Sequence, residues 1–212
     1  MPKATNKGSD YAPTPAGVHH AVCYAVIDIG TQPAFGSFPA RRKVMIIWEL
    51  PDERFEIIKD GSSMSVARAI NKEYTLSTDK KSNLRKDLIA WRGRDFTEDE
   101  AAEFDVAKLI GANCQLSVVH KPSADGSKIY ANVGSIMPLA KGAKKLAPEN
   151  PTLVYDLPTE PPVEFPAGMP EWIQNKIKNS EEYVDLVNPH RRKEPTEAEM
   201  ANQGNVNEDV PF

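Results

Sequence analysis

This sequence predicts a mainly β fold. The expected architecture is a five-stranded barrel with a helical insert between the third and fourth strands, followed by a proline-rich acidic tail. Three observations carry that expectation. Runs rich in β-formers recur between residues 17 and 75 and again between 113 and 137. The apolar period switches to helical spacing near residue 84. Clusters of turn-forming residues separate the runs.

The first strand is GVHHAVCYAVIDI, Gly17 to Ile29, with Ala21, Cys23, Ala25, Ile27 and Ile29 on one alternation and Gly30 closing it. The loop TQPAFGSFPARR follows, mixing turn formers with two phenylalanines and two arginines. Lys43 to Leu50, KVMIIWEL, is apolar on both alternations, which predicts burial on both faces or one face put to use. PDERFEIIKDGSS reads as a longer connection or irregular hairpin, leading to a third strand from Met64 to Thr75.

In KKSNLRKDLIAWRG the helical spacing sets Leu84, Leu88 and Trp91 on one side, with Ser82 or Asp79 as N-cap and Gly93 as the stop. FTEDEAAEF holds a capping box, Thr97 with Glu100, and DVAKLIG extends that helix or forms a third one ended by Gly111. Two strands close the body, Asn113 to His120 and Lys128 to Met137, joined by the turn chemistry of KPSADGS. Three strands, a helix and two strands is the element order of an OB-fold; a generic α+β sheet shares that order.

The chain has 212 residues and a net charge of −4, and 40% of its residues are hydrophobic, enough for one core with length left over. No apolar run approaches a spanning helix, and the N-terminus lacks a signal-peptide stretch, so a cytoplasmic protein without membrane partners is expected. Two cysteines build neither a disulfide framework nor a four-sulfur zinc site.

Charge is uneven. Residues 1–145 carry 21 basic and 17 acidic side chains, whereas residues 146–212 carry 5 and 13 and hold 10 of the 18 prolines. The expected organisation is a flexible leader over 1–16, a body over 17–141, and a mostly disordered acidic tail over 142–212. Within the tail, MPEWIQNKIKNSEEYV predicts a short amphipathic helix in 170–187, with Trp172, Ile173 and Ile177 forming an apolar strip that docks on the body or on a partner.

Catalytic and metal chemistry find little support. His19, His20 and Cys23 have only Cys114, His120 and His190 as further thiol or imidazole donors, all remote in sequence. No phosphate-binding glycine loop or dinucleotide fingerprint is present, and no nucleophile stands out. Asp28, Glu49 and Asp52 could form a magnesium-dependent nuclease cluster, an alternative to a non-enzymatic protein without cofactor or metal.

Binding a single nucleic-acid strand needs cations for phosphates and flat faces for bases. The first loop and the start of the second strand supply Phe35, Phe38, Arg41, Arg42 and Lys43. One alternation of the third strand carries Arg68, Lys72 and Tyr74, and the last hairpin offers Lys121, Lys128 and Tyr130. Trp48 is core or stacking platform. Arg92 and Arg94 contact phosphate or pair with Asp95 and Glu98. Stacking without hydrogen-bond readout predicts tolerance of sequence.

The final residues are Asn207-Glu208-Asp209-Val210-Pro211-Phe212. A terminal phenylalanine beside its own carboxylate, preceded by acids, suits a shallow pocket with a basic rim. This tip resembles that of bacterial single-stranded DNA-binding proteins, which ends Asp-Asp-Ile-Pro-Phe; the resemblance maps Glu208 and Asp209 to the acids, Val210 to Ile, and Pro211 and Phe212 to themselves. The usual strand texts of that family are absent from the body.

The runs YTLSTDKKSNLRKDLIAWRGRDFT and GSKIYANVGSI instead resemble phage-encoded proteins identified as single-stranded DNA-binding, over most of residues 18–140. These resemblances imply single-stranded DNA binding in phage replication, recombination or repair, with replication or repair proteins recruited by the tip. They assign no DNA-contacting residue in the body. A protein-interaction adaptor mounted on the barrel is the rival from another class, and self-association into a homo-oligomer stays open.

Overall fold

The computed structural model describes residues 12–59 and 61–188. Residues 1–11 of the expected leader and the tip 207–212 lie outside the described residues.

Six strands form one sheet, and the element order along the chain is β1 (Gly17–Gln32), β2 (Arg41–Lys59), β3 (Ser62–Thr75), α1 (Asn83–Arg92), α2 (Glu98–Ala102), a 3-10 turn (Val106–Leu109), β4 (Asn113–Pro122), β5 (Ile129–Pro138), β6 (Leu153–Tyr155), α3 (Glu171–Lys178) and α4 (Glu181–Val187). Strand order is β3-β2-β1-β4-β5, all neighbours antiparallel, with β6 added parallel to β1. β3 and β5, the two ends of this path, approach one another, and α1 packs against both.

The local signals place the helices. Ser82 accepts the Arg85 N–H and caps α1, and Gly93 ends it at φ 73° with its N–H donating to Ile89. The Thr97–Glu100 capping box starts α2. Of the two readings of the segment after Leu50, the structure has the irregular hairpin: β2 and β3 pair out to Lys59↔Ser62, with Pro51–Glu53 absorbed in an irregularity between Leu50 and Arg54. A proline cannot donate to a ladder but is tolerated at such a break.

Two cores lie on opposite faces of the central strands. One holds Val44, Ile46, Trp48 and Leu50 of β2 with Leu84, Leu88 and Trp91 of α1 and Leu116 of β4. The other holds Met45 and Ile47 of β2 with Ala25, Ile27 and Ile29 of β1, Tyr155, and Ile173 and Ile177 of α3. This settles the double apolar alternation of KVMIIWEL in favour of burial on both faces. In β1 the single expected alternation divides. Ala21 and Cys23 face the first core, and a register shift between Cys23 and Ala25 turns Ala25, Ile27 and Ile29 to the second.

The second core corrects the expectation of a mostly disordered tail from residue 142. Residues 146–187 form a strap bound to the sheet, and polar clips hold it. Asn113 exchanges hydrogen bonds of 2.9 Å with the backbone of Leu146. The buried Glu49 carboxylate accepts the N–H groups of Glu149 and Asn150, both at 2.8 Å, and the Asn150 side-chain amide. Gln32 donates to the Lys176 carbonyl at 3.1 Å, and Thr31 donates its N–H and hydroxyl to Glu182, both at 2.6 Å. Gly30, at φ 68°, admits α4 so closely that a Cβ there would meet the Ser180 Cβ at 2.5 Å.

Glu182 makes the last clip sensitive to acid. Burial pushes its carboxyl up, but the two Thr31 donors and the Arg42 charge outweigh this and hold it below the usual 4.5. A carboxylate depressed in the folded state stabilises fully above its unfolded value, and the contribution disappears as pH falls through the folded value. Melting curves of the native protein and Glu182→Gln should therefore differ at neutral pH and converge as pH falls below the usual carboxylate range. Equal melting temperatures at pH 7 would refute this role.

Candidate nucleic-acid interface

The loop between β1 and β2 closes on itself. Phe35 and Phe38 exchange both backbone hydrogen bonds at 3.0 Å across the two-residue turn Gly36-Ser37. Gly36 has φ 58°, the left-handed value that tight hairpins require at such a position. Directly paired residues put their side chains on one face, so this finger presents two rings together. They are 83% and 73% exposed, an unusual display for phenylalanine.

The finger borders a groove of about 690 Å³ that also includes Arg41 and Lys43 of β2, Glu73, Thr75 and the edge of the buried Tyr74 of β3, and Asp79, Lys81, Ser82 and Asn83 before and at the start of α1. Arg41 and Lys81 are exposed and make no side-chain ion pair among the described residues. Lys43 lies 4.0 Å from Glu73, whose carboxylate also receives Lys176 of the strap at 2.7 Å. α1 has no acidic residue in its first turn. Its N-terminal end therefore adds to the positive side of the groove.

Several expected contacts are elsewhere. The Arg68, Lys72, Tyr74 alternation faces inward rather than outward, because these residues pair with Leu50, Ile46 and Val44 of the first core and share their face. Tyr74 is 3% exposed and donates to Asp87 of α1 at 2.8 Å; burial first, then the Asp87 charge, pushes its phenol far up. Lys72 pairs with the same carboxylate at 2.7 Å, and Arg68 donates to the Ala12 carbonyl while covering the Phe55 ring. Trp48 is wholly buried against Trp91, so it is core and not a platform.

Arg42 is bound to the buried carboxylate of Asp28. Arg92 and Arg94 both pair with Glu100, at 3.2 and 2.7 Å, rather than with Asp95 or Glu98. Lys121, Lys128 and Tyr130 are exposed on the β4–β5 hairpin, which lies beyond Gly17, whereas the phenylalanine finger follows Gln32. The two halves of the expected groove thus sit at opposite ends of β1.

Sequence reasoning missed Lys81, whose signal was its place just before the cap of α1. Asp28 and Glu49 of the nuclease alternative are each occupied, by Arg42 and by the strap. Among the described residues no group of three or more His, Cys, Asp or Glu side chains is placed to hold a metal ion, and no helix is long and apolar enough to cross a membrane. Compared with known proteins, the chain matches no family model, no curated protein and no solved structure.

Proposed function

We propose that this protein binds single-stranded DNA with little regard to sequence and without a catalytic step. The observation that carries the reading is the pair of exposed rings on a closed hairpin beside Arg41, Lys43 and Lys81. Rings offer bases a face that every base shares, and the cations and the end of α1 suit phosphates. The strand path β3-β2-β1-β4-β5, with α1 lying over the approach of β3 to β5, supports an OB-type arrangement, a fold whose first loop commonly contacts oligonucleotides.

The resemblance to phage-encoded single-stranded DNA-binding proteins supports a place in phage replication, recombination or repair. Recruitment of partner proteins by Glu208–Phe212 is supported by the likeness of that tip to the bacterial one.

An oligo-dT titration at several salt concentrations tests the reading. Three phosphate contacts predict that log K falls against log salt with a slope of about −2 on a single strand. Failure to bind at low salt would end the proposal in favour of a protein-binding adaptor.

A further inference from the structure

The outward alternation of β3 is Ala69, Asn71, Glu73 and Thr75, opposite Glu49, Ile47, Met45 and Lys43. Glu73 and Thr75 line the groove beside the finger, while Ala69 and Asn71 line a second cavity, of about 610 Å³, under the strap. The two recesses therefore follow one another along a single strand face, over roughly 20 Å at ~3.3 Å per residue. The Lys176–Glu73 pair marks their junction and brings a second cation, beside Lys43, to the carboxylate between them.

The second cavity has a mixed apolar and polar lining. Its lining includes the small and aliphatic side chains Ala25, Ile47 and Ala69, the polar side chains Asn71, Asn150 and Thr152, and Trp172 of α3. Trp172 is 46% exposed although its neighbour Ile173 is fully buried, so α3 is anchored without it. Tryptophan gives the largest stacking face of any side chain, and amide and hydroxyl groups suit the edges of a base.

We propose that Trp172 and this cavity take a nucleobase of the same single strand that lies across the phenylalanine finger. The inference rests on the proposed function and extends the binding surface from the loop to the strap. Sequence tolerance follows here too, since one ring and short polar groups accept purines and pyrimidines alike.

The three tryptophans make the test direct. Trp48 and Trp91 are buried, so Trp172 is the tryptophan open to collisional quenchers. In the full chain, oligo-dT should quench the emission and shield it from iodide; in Trp172→Phe both effects should vanish. Trp172→Ala should bind oligo-dT about 5- to 150-fold more weakly, with melting temperature as the control for folding. Native affinity in Trp172→Ala, or undiminished iodide quenching of the DNA-bound native protein, would overturn the inference while leaving the finger as the binding site. Absence of oligo-dT binding by the native protein would overturn the proposed function along with it.

Discussion

Replacing Ile177 by Ala should lower the stability of this protein by about 2–5 kcal/mol, the range for truncating an aliphatic side chain in a packed core. Ile177 is wholly buried and belongs, with Ile173, to the cluster between α3 and the sheet. For a domain of this size the melting temperature should fall by roughly 4–20 °C. Val187→Ala, on an exposed position of α4, should stay within about 0.5 kcal/mol of the native protein. An unchanged melting temperature in Ile177→Ala would mean that the strap does not belong to the folded body. The expectation is large because the strap is the only described cover over Met45, Ile47, Ile27 and Ile29.

The second large effect concerns binding. Phe35→Ala and Phe38→Ala should each weaken oligo-dT binding about 5- to 150-fold, corresponding to ~1–3 kcal/mol per stacked base. Neither ring is buried, so both variants should melt within about 0.5 kcal/mol of the native protein. The two losses should not simply add, because adjacent rings share one stretch of ligand. Leu substitutions discriminate between mechanisms: an apolar contact with a protein partner tolerates Leu, whereas stacking does not. Retention of oligo-dT affinity in Phe35→Ala/Phe38→Ala would remove the central support for nucleic-acid binding.

What could be read from the sequence was what local chemistry decides. Ser82, Gly93 and the Thr97–Glu100 box place α1 and α2 because caps act within a turn; the segment holding Phe35 and Phe38 reads only as a loop, and its closure into a hairpin is a finding of the structure. The strap was legible only in part: helical spacing disclosed α3 with Ile173 and Ile177, whereas β6 and the packing of 146–169 were hidden because their contacts are distant. β6 is three residues long, and its apolar partners Leu157, Met169, Ile173 and Ile177 are spread among prolines in a composition that otherwise signals disorder.

The Arg68, Lys72, Tyr74 stripe was misassigned for a different reason. Ile70 sits on the same alternation and is buried, and one apolar residue among cations was too weak a sign that the face turns inward. Lys72 and Tyr74 meet there on Asp87, a partner supplied by another element.

The parallel pairing of Ala25 with Leu153 has a temporal consequence. During synthesis β1 waits for this partner about 130 residues downstream, which at ~5–20 residues per second is roughly 6–25 s. Until then Ile27, Ile29, Met45 and Ile47 lack the cover that the strap gives them in the folded protein. Such a delay leaves an apolar sheet face exposed for seconds, the interval in which a nascent β-rich chain is most prone to aggregate.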